Sequence, residues 1–270
     1  MSGSKASAGA DRTGGLTTGG PPGQRTPALV SAVERATSAH GLVRAAWARL
    51  HEAVAGLDED AFRAPSRLPG WTRAHLVSHL ARNADALVNL LTWARTGIEH
   101  PAYASRADRD ADIEAGADRL GQVIREDLYA ACDRFHAAVA RMADDQWTAV
   151  VAHPNGRTFP AAEVVELALV EAWNHLVDLD TGTAYADVPA AALERLLEHA
   201  VRPHLAGAGG GVVTVVVALP GGGQRSWDLA MAAASTGSVE VRGSAAAVLP
   251  WLMRGDSSAL SDAPELATWG

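Results

Sequence analysis

Apolar residues recur at steps of three and four through the first two-thirds of the chain, and in short β-branched runs only towards its end. Leu29, Val33, Ala36, His40, Val43 and Trp47 share the spacing of one helical face, which predicts a helix from Pro27 to about Gly56. The polar run Asp58-Glu59-Asp60 marks its end. Leu68-Pro69-Gly70-Trp71 then reads as a turn that delivers Thr72 as the N-cap of a second helix, Arg73 to Arg95. Leu76, Leu80, Leu87 and Leu91 line that helix and Gly97 closes it. Beyond the breaker Pro101, a third helical pattern runs from about Ala107 to Met142, with an interruption allowed near Gly116 or Gly121. His153-Pro154-Asn155-Gly156 is a turn signal, and Pro160 suits the first turn of a fourth helix reaching about Asp180. Four antiparallel helices with apolar faces form a bundle, and bundle cores commonly hold metals.

After Gly182 the pattern changes. Pro189 to Leu205 reads as a helix, Val212 to Leu219 as a buried strand, Ser226 to Ala230 and Ser238 to Arg242 as two more strands. Ser244 then caps a helix that ends near Arg254-Gly255. The expected class is α+β. A four-helix bundle occupies residues 27–184 and a small α/β domain residues 185–257, with tails at 1–26 and 258–270.

Composition narrows the function classes. At 270 residues with 48% hydrophobic content the chain can bury a substantial core. Its net charge is −8 and no basic stripe appears, which argues against a nucleic-acid partner. No apolar run approaches the roughly 20 residues that span a bilayer. Residues 1–23 lack the apolar segment of a secretory signal and read as a disordered tail, so a cytoplasmic location is expected. The single cysteine, Cys132, excludes an intramolecular disulfide and reads as a packed helical thiol.

The candidate chemistry lies on two of the helices. Glu171 and His175, four residues apart, project from the same face of an otherwise apolar stretch, Val164 to Trp173. An unpaired carboxylate buried there costs several kcal/mol unless a cation or donor compensates it. His79 sits in a matching apolar setting, Leu76-Val77-Ser78-His79-Leu80. Glu171 and His175 alone also suit a buried hydrogen-bonded pair. With His79 they make a zinc-type set of two histidines and one carboxylate, which leaves one coordination position open, the catalytic pattern. His75 competes with His79 from one turn earlier, but falls in the first helical turn. His40, His51, His136, His153, His199 and His204 have no comparable partner spacing.

The run from Leu68 through Leu80, its continuation Asn83 to Gly97, and the segment Glu171-Ala172-Trp173-Asn174-His175-Leu176-Val177-Asp178-Leu179 resemble the mycothiol-dependent maleylpyruvate isomerases. The resemblance runs from about Pro27 to Ser257 and is weakest in the strands. It implies a DinB-like bundle, zinc or another divalent metal held by His79, Glu171 and His175, and mycothiol as a second cofactor. Trp251-Leu252-Met253-Arg254-Gly255-Asp256 matches the place of a functional arginine of the family, which makes Arg254 its counterpart.

The implied reaction converts maleylpyruvate to fumarylpyruvate in the gentisate route of aromatic-ring breakdown. A metal-activated mycothiol thiolate would add to the double bond, permit rotation and leave again. Arg254 would pair with a substrate carboxylate. Two other functions share the same ligand set. One is a mycothiol S-transferase acting on another electrophile. The other is a non-catalytic binding protein braced by its metal, which a fourth protein ligand would favour.

Overall fold

The computed structural model describes residues 26–206, 211–232 and 239–267. The expected disordered tail therefore lies outside the described residues, except for Thr26, whose Oγ1 accepts the Leu29 N–H at 3.3 Å and caps the first helix. In chain order the helices are α1 (Pro27–Ala55), α2 (Glu59–Arg63), α3 (Arg73–Thr96), α4 (Arg106–Ala117), α5 (Gly121–Ala140), α6 (Ala162–Asp178), α7 (Ala190–Val201) and α8 (Ala245–Arg254). The strands are β1 (Val150–Ala152), β2 (Thr158–Pro160), β3 (Val212–Ala218), β4 (Gln224–Ala230) and β5 (Val239–Ser244). The fold class is α+β.

Helices α1, α3, α5 and α6 form the bundle, with α3 packed on α5 and α6, and α1 packed on α6. Leu50, Leu76, Leu90, Leu128, Phe135 and Leu169 are fully buried between them. Arginine–carboxylate pairs lace α3 to α5 at the rim: Arg82 to Asp127 at 2.9 Å and Arg134 to Asp85 at 2.7 Å.

Two sequence expectations are refined here and one is corrected. Asp58-Glu59-Asp60 does more than end α1: Asp58 Oδ1 accepts the Ala61 N–H at 2.8 Å and starts α2, whose first turn carries the two acids that a helix N-terminus favours. The third helical stretch is two helices, broken at residues 118–120, between Gly116 and Gly121 where the sequence allowed an interruption. Glu59 Oε2 accepts the Gly121 N–H at 2.7 Å, so α2 supplies the cap from which α5 begins. Pro160 does not open α6. It ends the short hairpin β1–β2, paired with Val150, and α6 starts two residues later. An edge strand tolerates proline because the missing N–H is not needed there.

In the C-terminal part β3 is central, antiparallel to β4 and parallel to β5. Val213, Val215 and Val217 alternate onto its buried face, and α8 packs against β3 and β5. Ser238, where the third strand was expected to begin, lies outside the described residues. Helix α7 is shorter than expected: it gives way to a 3-10 turn at Arg202–His204, where Pro203 has no N–H to continue the α-helix. Residues 258–267 are not a free tail. Met231 and Leu266 form an antiparallel bridge, Ala267 N donates to Ala230 O at 3.0 Å, and Trp251 Nε1 donates to Pro264 O at 3.0 Å. The segment covers the open edge of β4 and buries Leu266.

One junction sets the register of the site. Arg73, in the first turn of α3, donates from Nη2 to Asp180 O at 2.9 Å and from Nε to Leu179 O at 2.5 Å. Those carbonyls end α6, so the start of α3 is tied to the end of α6 and the two helix dipoles run antiparallel.

Gly121 is the least replaceable point of this frame, because an added Cβ would lie 2.5 Å from the Phe62 ring and 2.9 Å from Glu59 Oε2. Gly121→Ala should lower unfolding stability by about 1–3 kcal/mol in urea titration. An unchanged midpoint would show that α2 does not clamp the start of α5.

Candidate functional site

Helix α6 presents Glu171 and His175 one turn apart, and α3 brings His79 against them. His79 Nε2 lies 3.1 Å from Glu171 Oε2 and 3.1 Å from His175 Nε2, and His175 Nε2 lies 3.4 Å from Glu171 Oε2. Bonds of 2.0–2.1 Å to one tetrahedral ion put ligand atoms about 3.3–3.4 Å apart, so the three atoms are spaced to share a metal. Among the described residues these three form the one cluster of His, Cys, Asp or Glu side chains with that capacity. No fourth protein ligand joins them there.

The sequence motif before α3 has a local physical role. Gly70 takes φ +80°, which lets Trp71 N donate to Leu68 O at 3.0 Å and places the Trp71 ring 5.5 Å from that of His79. Thr72 follows as N-cap in a capping box whose N3 residue is His75: Thr72 N donates to His75 Nδ1 at 3.3 Å, and Thr72 Oγ1 lies 2.7 Å from that atom. The other ring nitrogen of His75 lies 3.2 Å from Glu114 Oε2. His75 is thus a capping residue, turned to partners other than the three-residue cluster.

A second layer stands behind His175. Its Nδ1 donates to Asp178 Oδ2 at 2.9 Å, and the same carboxylate oxygen is paired with Arg254 Nη2 from the last turn of α8. Asp178 is 1% exposed and the Arg254 side chain 32%. Beside them Tyr185 Oη donates to Asn174 Oδ1 at 2.8 Å, which ties the segment after α6 to the same turn. Arg254 therefore meets a protein carboxylate, in addition to any role towards a ligand. Asp178 was missed in the sequence, although its spacing of three from His175 put it on the same helical face.

The protonation pattern follows from these contacts. Burial disfavours charge on His175, but hydrogen bonds to Asp178 and Glu171 outweigh it and raise its pKa to about 9. Burial likewise opposes ionisation of Glu171, yet hydrogen bonds from His175 and His79 hold its carboxyl well below the usual range. His79 is pushed down, by burial first, with Glu171 acting in the opposite sense. Its Nδ1 lies 3.3 Å from Arg109 Nη2, a second contact that periodicity did not reveal.

The remaining candidates lie elsewhere. Cys132 is buried in α5, and burial pushes its thiol up to about 12, which leaves it unreactive. His40 Nε2 and His136 Nδ1 are 2.8 Å apart between α1 and α5; burial pushes His136 down to about 4, so the pair is neutral and structural. His204 lies 3.0 Å from Leu252 O and 3.2 Å from Ala267 O, at the joint between α8 and the C-terminal segment. A cleft of about 910 Å³ runs between α7, α8 and that segment, with His199, Trp251 and Arg254 among its walls.

Comparison with known proteins gives a consistent family. The family profile described as "Mycothiol maleylpyruvate isomerase N-terminal domain" matches residues 43–180. Two crystal structures, of the mycothiol-dependent maleylpyruvate isomerase and of a histidine-to-alanine mutant of it, are each 30% identical to the chain with a TM-score of 0.74. Each alignment covers 88% of this chain and 97% of the other. No curated protein matches. With the profile spanning half of the chain and the solved structures nearly all of its length, the chain belongs to the mycothiol-dependent maleylpyruvate isomerase family.

Proposed function

We propose that this protein is an isomerase that converts maleylpyruvate to fumarylpyruvate with mycothiol, in the gentisate route of aromatic catabolism, and that His79, Glu171 and His175 hold the divalent metal it needs. The observation that carries the reading is the convergence of three ligand atoms from two helices, without a fourth among the described residues, in a chain 30% identical to solved isomerases. A structural zinc site would close its shell with a fourth protein ligand, so an open position favours catalysis over bracing.

When bound, zinc or a similar ion supplies the Lewis acidity that keeps a thiol ionised at neutral pH, and mycothiol supplies the thiol. The chain's own residues do the rest. Asp178 accepts the Nδ1 proton of His175, which fixes that ring with Nε2 facing Glu171 and His79, the atom a metal would take in exchange for its proton. Arg254 neutralises Asp178, and its remaining N–H groups pair with a substrate carboxylate. Trp71 walls the His79 side against water. The protein's one cysteine is buried in α5, in keeping with a nucleophile that comes from outside the chain.

The partners are small molecules, consistent with the acidic net charge. No helix among the described residues is long and apolar enough to cross a membrane. We place the enzyme in the cytoplasm, where a reduced thiol cofactor persists.

Purified zinc-loaded protein should convert maleylpyruvate to fumarylpyruvate, followed by absorbance, only when mycothiol is present and without consuming it. Stoichiometric loss of mycothiol would indicate a transferase instead. His175→Ala should lose both metal and activity, whereas Arg254→Ala should retain metal and lose turnover; normal turnover of the arginine variant would remove Arg254 from the site. Asp178→Asn should weaken zinc binding by roughly 10- to 100-fold in chelator competition. Unaltered affinity would mean that Asp178 does not orient His175.

A further inference from the structure

Each candidate ligand histidine has a charged group at its outer nitrogen, and the two differ in sign. At His175 the Nδ1 meets the carboxylate of Asp178, with Arg254 beyond it. At His79 the Nδ1 meets the guanidinium of Arg109 directly, at 3.3 Å, with no carboxylate between. A histidine that binds metal through Nε2 carries its proton on Nδ1 and normally donates it to a carboxylate or carbonyl. Arg109 only donates. Were a metal held at His79 Nε2, the Nδ1–H would face the Arg109 N–H groups, and among the described residues no acceptor stands in the place that Asp178 fills on the other side.

The surroundings suit an anion. Arg109 Nη1 holds Asp110 Oδ1 at 2.6 Å, which leaves Nη2 and Nε without a carboxylate partner among the described residues. Its Cζ lies 5.8 Å from the centre of the Tyr103 ring, and the buried Tyr103 Oη lies beside Arg109 and Asn83 without a hydrogen bond of standard geometry to either. The Arg109 side chain is 26% exposed, so a ligand can reach it. A divalent ion with Arg109 and Arg254 outweighs Glu171, Asp178 and Asp110, and the excess positive charge calls for an anionic ligand.

We propose that Arg109 is a substrate-binding residue: with His79 Nδ1–H and the Tyr103 hydroxyl it receives one carboxylate of a dicarboxylate substrate, while Arg254 receives the other. This rests on the isomerase reading for the identity of the diacid, but the receptor itself is testable by binding alone. Two arginines on α4 and α8, at opposite ends of the ligand set, select a diacid over a monoacid.

The test uses zinc-loaded protein and two probes, maleate and the monoacid crotonate, titrated by calorimetry. Wild type should bind maleate more tightly than crotonate. Arg109→Gln should weaken maleate roughly 10- to 100-fold, with zinc content and crotonate affinity little changed. Arg109→Lys should recover part of the loss, and with the true substrate the change should fall on KM more than on kcat. Equal binding of the two acids by wild type, unchanged maleate affinity in Arg109→Gln, or loss of zinc from that variant would overturn the proposal. Maleate selectivity that depends on Arg109, in a protein that does not isomerise maleylpyruvate, would overturn the isomerase reading and leave the receptor standing.

Discussion

The arrangement depends on one buried carboxylate. Asp178 ends α6 at 1% exposure, and an ionised group in such a place persists only with charged and hydrogen-bonded partners. It has two, His175 Nδ1 and Arg254, from different parts of the chain. Removing either would leave the buried carboxylate with one partner in place of two, at a cost of about 1.5–3 kcal/mol. The same contact that orients a candidate metal ligand therefore also docks α8 against the bundle.

That coupling explains why a small mixed sheet is attached to a helical bundle. Helix α8 leans on β3 and β5, and the C-terminal segment covers the edge of β4. The left-handed turn at Gly255 then ends α8 so that Arg254 lies in its last turn. On the opposite side Arg73 fixes the end of α6 to the start of α3, and the Gly70 turn sets Trp71 beside His79. The site is held from two directions, with Arg109 on one flank and Arg254 on the other.

Much of this was legible in the sequence because it is local. The four bundle helices follow from three- and four-residue apolar spacing, the Thr72 cap from residue type, and the shared face of Glu171 and His175 from helical geometry. The central strand was visible in its run of valines. What escaped depends on contacts across the chain. Glu59 starts α5 from 62 residues away, so no window around Gly121 could show why the helix breaks there. Pro160 looked like a helix start because a three-residue hairpin is too short to register as alternation. Arg109 sits in a helix rich in charge, where nothing local separates it from Arg106; only its distance to His79 does. The place of Arg254 came from the family resemblance, and its contact with Asp178 from the fold.

The most direct test of the central claim is X-ray absorption at the zinc edge of the zinc-loaded protein, compared with His79→Ala. The account predicts a first shell of nitrogen and oxygen only, at about 2.0–2.1 Å, with two imidazoles in the wild type, and in the variant either loss of the zinc or a single imidazole. A sulfur at about 2.3 Å, which would bring in Cys132, or an imidazole count unchanged by the substitution, would contradict it.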